Sequence, residues 1–150
     1  MYTPGKLLYF DPFYFKNGNP DRRKYFLVLK IIDENVIIAC LPSSKNHLPA
    51  SQPIVHGCLE ITDACISCYI FEANRPITKD GWFFNLDTIL YGGWLDDFNI
   101  NDMNSKYSIA GVDYEIIGEL TDQELENVIK CFSNSSVVKN RYKRALSGHA

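Results

Sequence analysis

The chain has no apolar run approaching the roughly 18 residues that a membrane-spanning helix requires. Its N-terminus, Met1-Tyr-Thr-Pro-Gly5, lacks the charged-then-apolar layout of a secretory leader. The five cysteines are odd in number and show no framework spacing, which argues for thiols over disulfides. A cytoplasmic protein with no membrane association is the expectation. Internal repeats and low-complexity stretches are also missing. Basic residues are scarce in the middle: residues 51–132 carry four Lys/Arg against fourteen Asp/Glu. That balance excludes a general nucleic-acid coat protein.

What is present describes one globular domain. At 150 residues, with 46% hydrophobic and 13% aromatic side chains, the chain can bury a full core over 1–150. Basic residues gather at the two ends. Residues 1–50 hold seven Lys/Arg against four Asp/Glu, and residues 133–150 hold Lys139, Arg141, Lys143 and Arg144 against no acid. The distribution allows one local anion site and a separate site for a basic partner.

Most of the periodicity is β. Lys6 to Phe10 reads as a strand stopped by Asp11-Pro12, since proline cannot extend a ladder. Tyr25 to Ile32 and Val36 to Leu41 are nearly continuous apolar runs joined by Asp33-Glu34-Asn35, the pattern of a hairpin of central strands with both faces covered. Prolines 42, 49 and 53 predict a long irregular connection, and the whole of 50–83 reads as an irregular insertion except for a strand at Ile66 to Phe71. Gly81 to Leu90 is expected to be a strand or strand-plus-turn, Tyr91 to Phe98 a loop or short helical turn, and Val112 to Ile117 the last strand. Thr121-Asp-Gln-Glu124 has the form of a capping box ahead of Leu125, Val128, Ile129 and Phe132 at helical spacing. Ser133 to Ser136 breaks that helix before a basic tail or helix over 133–150.

The stretch from Pro4 to Pro49 is the most informative for function. It sets a Gly/Asn loop (16–21), the cluster Arg22-Arg23-Lys24 and two apolar strands ahead of Leu41-Pro-Ser43-Ser44-Lys45. A cationic loop and a hydroxyl-rich strand end then meet on one rim, which suits a phosphodiester. Arg engages two phosphate oxygens at once, and a fixed cation stabilises charge building on phosphorus. Arg23 is the leading candidate, because alternation sets it opposite Arg22 and Lys24. The plainer alternatives are a solvated loop before a strand and an ordinary Ser-rich turn.

Three segments in order resemble the PemK/MazF family of toxin ribonucleases. The first is Gly5-Lys-Leu-Leu-Tyr-Phe10, followed by the Gly/Asn loop and Arg22-Arg23-Lys24-Tyr-Phe-Leu-Val-Leu29, similar to a family Arg-Pro-x-x-Val-Leu strand. It runs on into Val36 to Lys45, where the family has a strand ending in Thr-Ser. The second is Leu86-Asp87-Thr88-Ile89, which resembles an Asp-Gln-Ile segment leading to a family arginine, a position filled here by Leu90. The third is Ile117-Gly118-Glu-Leu-Thr-Asp-Gln-Glu-Leu125, similar to a Gly-x-Leu-x-Asp-Glu-Glu-Leu helix start.

The resemblance implies a mainly β fold, a small SH3-like β-barrel with a C-terminal α-helix, that forms a homodimer. It implies a metal-independent endoribonuclease without cofactors, acting on single-stranded RNA and restrained by a cognate antitoxin. Arg23, Ser43 and His47 become the catalytic candidates. Arg22, Lys24, Ser44 and Lys45 become phosphate contacts, and Tyr14 and Phe15 platforms for unpaired bases. The attacking 2′-hydroxyl belongs to the RNA, so the protein supplies only charge stabilisation and proton transfer, for which His47 is suited near neutral pH. Tyr14 and Phe15 read equally as core or dimer contacts. The competing function is a non-catalytic barrel that binds a protein partner, as related CcdB-type toxins do.

Two further clusters weigh less. His56, Cys58, Cys65 and Cys68 offer the ligand count of a structural zinc site. However, the Cys65-x-x-Cys68 pair has no knuckle glycine, a strand over Ile66 to Phe71 would send the two thiols to opposite faces, and buried free cysteines are common. Asp96, Asp97 and Asp102 lack the glycine and terminal glutamate of a calcium loop and read as a solvated loop.

Overall fold

The computed structural model describes residues 2–16 and 23–148. In chain order the elements are β1 (Lys6–Phe10), β2 (Lys24–Asp33), β3 (Val36–Cys40), β4 (Gly57–Ile61), β5 (Ile66–Phe71), β6 (Thr88–Tyr91), β7 (Asp96–Asn99), α1 (Ile100–Lys106), β8 (Tyr114–Glu119), α2 (Asp122–Ser133) and α3 (Asn140–Leu146). The described residues are mainly β, with two antiparallel sheets and three short helices. One sheet runs β7-β3-β2-β1-β8 and the other β4-β5-β6. An isolated bridge between Ser43 and Ile89 ties β6 to the chain leaving β3, and another between Thr78 and Leu120 ties the β5–β6 connection to the end of β8. Among the described residues no helix is long and apolar enough to cross a membrane.

The apolar runs of β2 and β3 place them inside the five-stranded sheet, as their composition predicts. Alternation divides their side chains between two cores. Leu27, Leu29, Ile38 and Cys40 join Leu7, Tyr69, Phe71, Leu90 and the apolar faces of α2 and α3. Phe26, Val28, Ile37 and Ala39 turn the other way, onto Leu8, Phe10, Phe13 and the α1 residues Met103 and Tyr107. Burying each such side chain contributes about 1.5–3 kcal/mol, so both faces of this sheet hold the fold together. A third cluster, Leu48 with Cys68, Ile70, Ile89 and Tyr91, covers the outer face of the small sheet.

Several expectations change in the folded chain. The segment 50–83 is more ordered than an irregular insertion, because β4 and β5 form two of the three strands of the small sheet. Residues 81–87 lie outside any strand, and only Thr88–Tyr91 of that stretch pairs, with β5. Asp96 and Asp97 are not a solvated loop. They start β7, which pairs with the open edge of β3 from Val36↔Asn99 to Ala39↔Asp96.

The cysteines are not all thiols. Cys58 on β4 and Cys131 on α2 form a disulfide, leaving Cys40, Cys65 and Cys68 free. This pair removes the argument for a cytoplasmic home drawn from the cysteine count, because disulfides persist mainly in oxidising surroundings. Cys58 is thereby unavailable as a thiolate ligand, and His56, Cys65 and Cys68 do not meet in a metal-binding group among the described residues. Burial pushes the Cys40 thiol up to about 12 and the Cys68 thiol up to about 11, so both stay protonated and unreactive.

The capping box forms by half. Thr121 Oγ1 accepts the Glu124 N–H at 3.2 Å. The Thr121 N–H is taken by the Ile77 carbonyl at 3.0 Å, and the Glu124 side chain turns inward instead. The Ser133 to Ser136 break works through one residue: buried Ser135 accepts the N–H groups of Val137 and Val138 and so orders the turn into α3.

Candidate functional site

β2 begins one residue after Arg23, and β3 ends two residues before Pro42. The hairpin therefore returns the two ends to the same edge of the sheet, where Arg23, Lys24, Ser43, Ser44 and Lys45 line one cleft of about 710 Å³. The hydroxyl loop is held from both sides. Ser43 exchanges main-chain hydrogen bonds with Ile89, N–H to carbonyl at 3.0 Å and the reverse at 2.8 Å. Ser43 Oγ accepts the Lys45 N–H at 3.1 Å, a local turn that leaves the hydroxyl proton available to donate. Behind the loop, the Tyr91 hydroxyl donates to the Lys45 carbonyl at 2.6 Å and accepts the His47 N–H at 2.9 Å.

The opposite wall is aromatic. Tyr9 and Tyr25 lie 4.9 Å apart, Tyr25 and Trp82 5.6 Å, and Trp82 and Phe84 4.8 Å between ring centroids. Phe84 is buried beneath, whereas Phe83 is 38% exposed at the cleft. Burial, with Tyr9 and Glu115 adding, raises the Tyr25 phenol above its ordinary value, so it remains a neutral hydrogen-bond donor at neutral pH. No carboxylate or imidazole lines the cleft among the described residues. Among the described residues its lining charge is positive, and Asp11 lies 3.8 Å from Arg23 Nε in a pair exposed on both sides.

Of the residues expected from sequence, Arg23, Lys24, Ser43, Ser44 and Lys45 come together here. His47 does not: its ring stands 5.6 Å from Tyr91 and 5.8 Å from Trp94, outside the cleft lining. The Tyr91 hydroxyl holds the main chain at Lys45 and His47, and the imidazole packs beside Tyr91 and Trp94. Tyr14 and Phe15 are not platforms in this cleft either. Phe15 packs on Phe13 at 5.5 Å, and Tyr14 lies 6.1 Å from Tyr107, beside the α1 core. Arg22 falls outside the described residues. Leu90, where the resemblance led to the expectation of an arginine, is fully buried in the main core.

The aromatic wall was not read from the sequence, although a signal exists. Trp82-Phe83-Phe84 places three aromatic residues in succession, and a chain cannot turn three successive side chains into one core. Here Phe83 is the one left partly exposed, between Trp82 and buried Phe84.

A second constellation lies under α2. The Tyr69 hydroxyl donates to Glu124 Oε1 at 2.6 Å, and His56 Nε2 lies 2.9 Å from the same oxygen. The Glu72 N–H donates to His56 Nδ1 at 3.1 Å, so the imidazole carries its proton on Nε2 and donates it to the carboxylate. Burial and the Glu124 carboxylate raise the Tyr69 phenol. Every polar atom of this triad has a partner within it or on the backbone, so its work is to lock β4, β5 and α2 together. Comparison with protein-family models, curated proteins and solved structures finds no match for this chain.

Proposed function

We propose that the cleft binds single-stranded RNA and that the protein is a PemK/MazF-like endoribonuclease toxin. The observation that carries the reading is the meeting of three cations and two serines with an aromatic wall in one cleft. Phosphates take Arg23, Lys24 and Lys45, while an unpaired base stacks on exposed Phe83 beside Trp82. A duplex, whose bases are already stacked, gains nothing from that wall. The reading takes the fold as an SH3-like barrel, supported by the Ser43–Ile89 bridge between β6 of the smaller sheet and the chain leaving β3 of the larger. It also carries a homodimer and a cognate antitoxin as partner, whereas the cytoplasmic home expected from sequence has lost the support of the cysteines because Cys58 and Cys131 pair.

In the proposed reaction the RNA 2′-oxygen bonds to phosphorus as the P–O5′ bond breaks. The 2′-proton is lost to solvent or base, and the 5′-oxygen gains one. The products are a 2′,3′-cyclic phosphate and a 5′-hydroxyl. Arg23 stabilises the charge on the phosphoryl oxygens, and the free proton of Ser43, with Ser44, orients them. His47 has no part in this version, since it lies outside the cleft.

A second reading, a non-catalytic partner-binding barrel of CcdB type, is favoured by buried Leu90 and by a lining without carboxylate or imidazole. The two separate in one assay. Purified protein is incubated with an unstructured, end-labelled RNA in excess EDTA. Cyclic-phosphate ends that fall at least about tenfold in Arg23→Ala support the nuclease. Intact RNA that is nevertheless bound by the wild type and released by Arg23→Ala leaves an RNA-binding module. RNA that is neither cleaved nor bound removes the proposal.

A further inference from the structure

We propose that the groove between the end of β2 and α3 docks an extended acidic and apolar segment of a partner protein. It shares no residue with the RNA cleft and does not rest on the nuclease reading. The groove encloses about 410 Å³ and is lined by Lys30, Ile31 and Ile32 of β2 and by Arg141, Arg144 and Ala145 of α3. Three cations therefore surround two exposed isoleucines, which are 40% and 38% accessible.

The cations differ in readiness. Arg141 is held by Asp97 at 3.4 Å and by the Tyr142 hydroxyl at 3.0 Å. Lys30 and Arg144 have no carboxylate within 4.0 Å among the described residues, unlike Lys16, Arg23, Arg75 and Lys79. An arriving acid thus meets two uncompensated charges and one that is already oriented.

The strand supplies the second argument. Pairing of β2 with β1 ends at Leu27↔Leu7, and the Gly5 N–H takes the Val28 carbonyl just beyond it. From Leu29 to Asp33 the described backbone partners come from β3 alone, with irregular register after Val28 and after Ile31. The far edge of β2 is open where the isoleucines and Lys30 stand. An added strand gains main-chain hydrogen bonds there. Alternation along β2 sets Lys30 and Ile31 on opposite faces, so an added strand whose own residues alternate turns its acids to the Lys30 side and its apolar side chains to the Ile31 side. Three cations fall short of the roughly four to eight that mark an anionic-lipid site, and a lipid surface makes no use of a strand edge.

The probe is a fluorescein-labelled eight-residue peptide alternating Glu or Asp with Val or Ile, titrated with the full chain and followed by anisotropy. Saturable binding is expected, weakened at least about tenfold by Lys30→Glu and by Arg144→Glu. The same peptide with Lys in place of its acids is expected not to bind. The two substitutions sit on separate exposed elements, and each variant is compared at equal folded fraction by circular dichroism. Retained binding in either variant, equal binding of the Lys peptide, or no saturable binding overturns the proposal. So does binding of phosphatidylserine vesicles that the peptide fails to displace, or self-association that Arg144→Glu abolishes while the peptide stays unbound.

Discussion

Ser43 and Ile89 exchange both of their main-chain hydrogen bonds, at 3.0 and 2.8 Å, and so fasten the chain leaving β3 to the edge strand of the smaller sheet. The pair does two jobs. It joins the sheets, and it presents the alcohols of Ser43 and Ser44 toward Arg23 and Lys24 across the cleft.

Because the bridge uses the backbone, side chain and stability separate at this position. Ser43→Ala keeps the bridge and loses only the local turn to Lys45, so stability should fall by about 1 kcal/mol or less. RNA binding should weaken severalfold. Ser43→Pro deletes the N–H donor and should cost about 1–3 kcal/mol in urea unfolding.

Binding of single-stranded RNA should respond differently to each wall of the cleft. Phe83→Ala should weaken it about tenfold or more without altering its salt dependence, since stacking is worth about 1–3 kcal/mol per base. Lys24→Ala should lower the slope of log affinity against log salt by about 0.7. Asp11→Asn removes the competitor beside Arg23 and should tighten binding about two- to threefold, a small change because the pair is exposed. Anisotropy across a salt series measures all three.

The Cys58–Cys131 bond closes a loop with a sequence separation of 73 and pins α2 to β4. Loop-closure entropy for that length predicts a loss of about 4 kcal/mol on reduction or in Cys58→Ser. Urea unfolding with and without dithiothreitol checks this, and the variant should show no response to the reductant.

The carboxyl of Asp97 is held below its ordinary value, first by the hydroxyl of Tyr142 at 2.7 Å and then by Lys16 and Arg141, with burial opposing. A lowered value in the folded chain stabilises above the ordinary value of 3.8 and is lost as pH falls through the folded one. Tyr142→Phe should therefore cost about 1.5–3 kcal/mol at neutral pH. The gap between variant and wild type should narrow as the pH drops below 3.8. Unfolding curves at neutral and strongly acidic pH decide the matter.

Elements with strong local signals were legible before any coordinates. β1, β2, β3 and β5 follow from apolar runs bounded by turn residues, and the start of α2 follows from Thr121 ahead of a helical stripe. The cationic and hydroxyl side of the cleft was legible as well, because a hairpin must bring Arg23 and Ser43 to one edge, whereas its aromatic wall was not. β4, β7 and α1 were not. Asp96-Asp97-Phe98-Asn99 has little intrinsic preference for a strand, and it becomes one because β3 offers an unpaired edge.

What the residues determined by themselves is the part governed by neighbours in the chain: alternation, turn chemistry and the cap at Thr121. Tertiary structure alone decided which distant groups meet. Glu124 leaves its expected place at the cap because Tyr69 and His56, 55 and 68 residues away, present donors inside the core. Cys58 finds Cys131, and Trp82 and Phe83 complete the cleft that Arg23 and Ser43 begin. These are long-range encounters whose energy comes from shared burial, and no local pattern of residues records it.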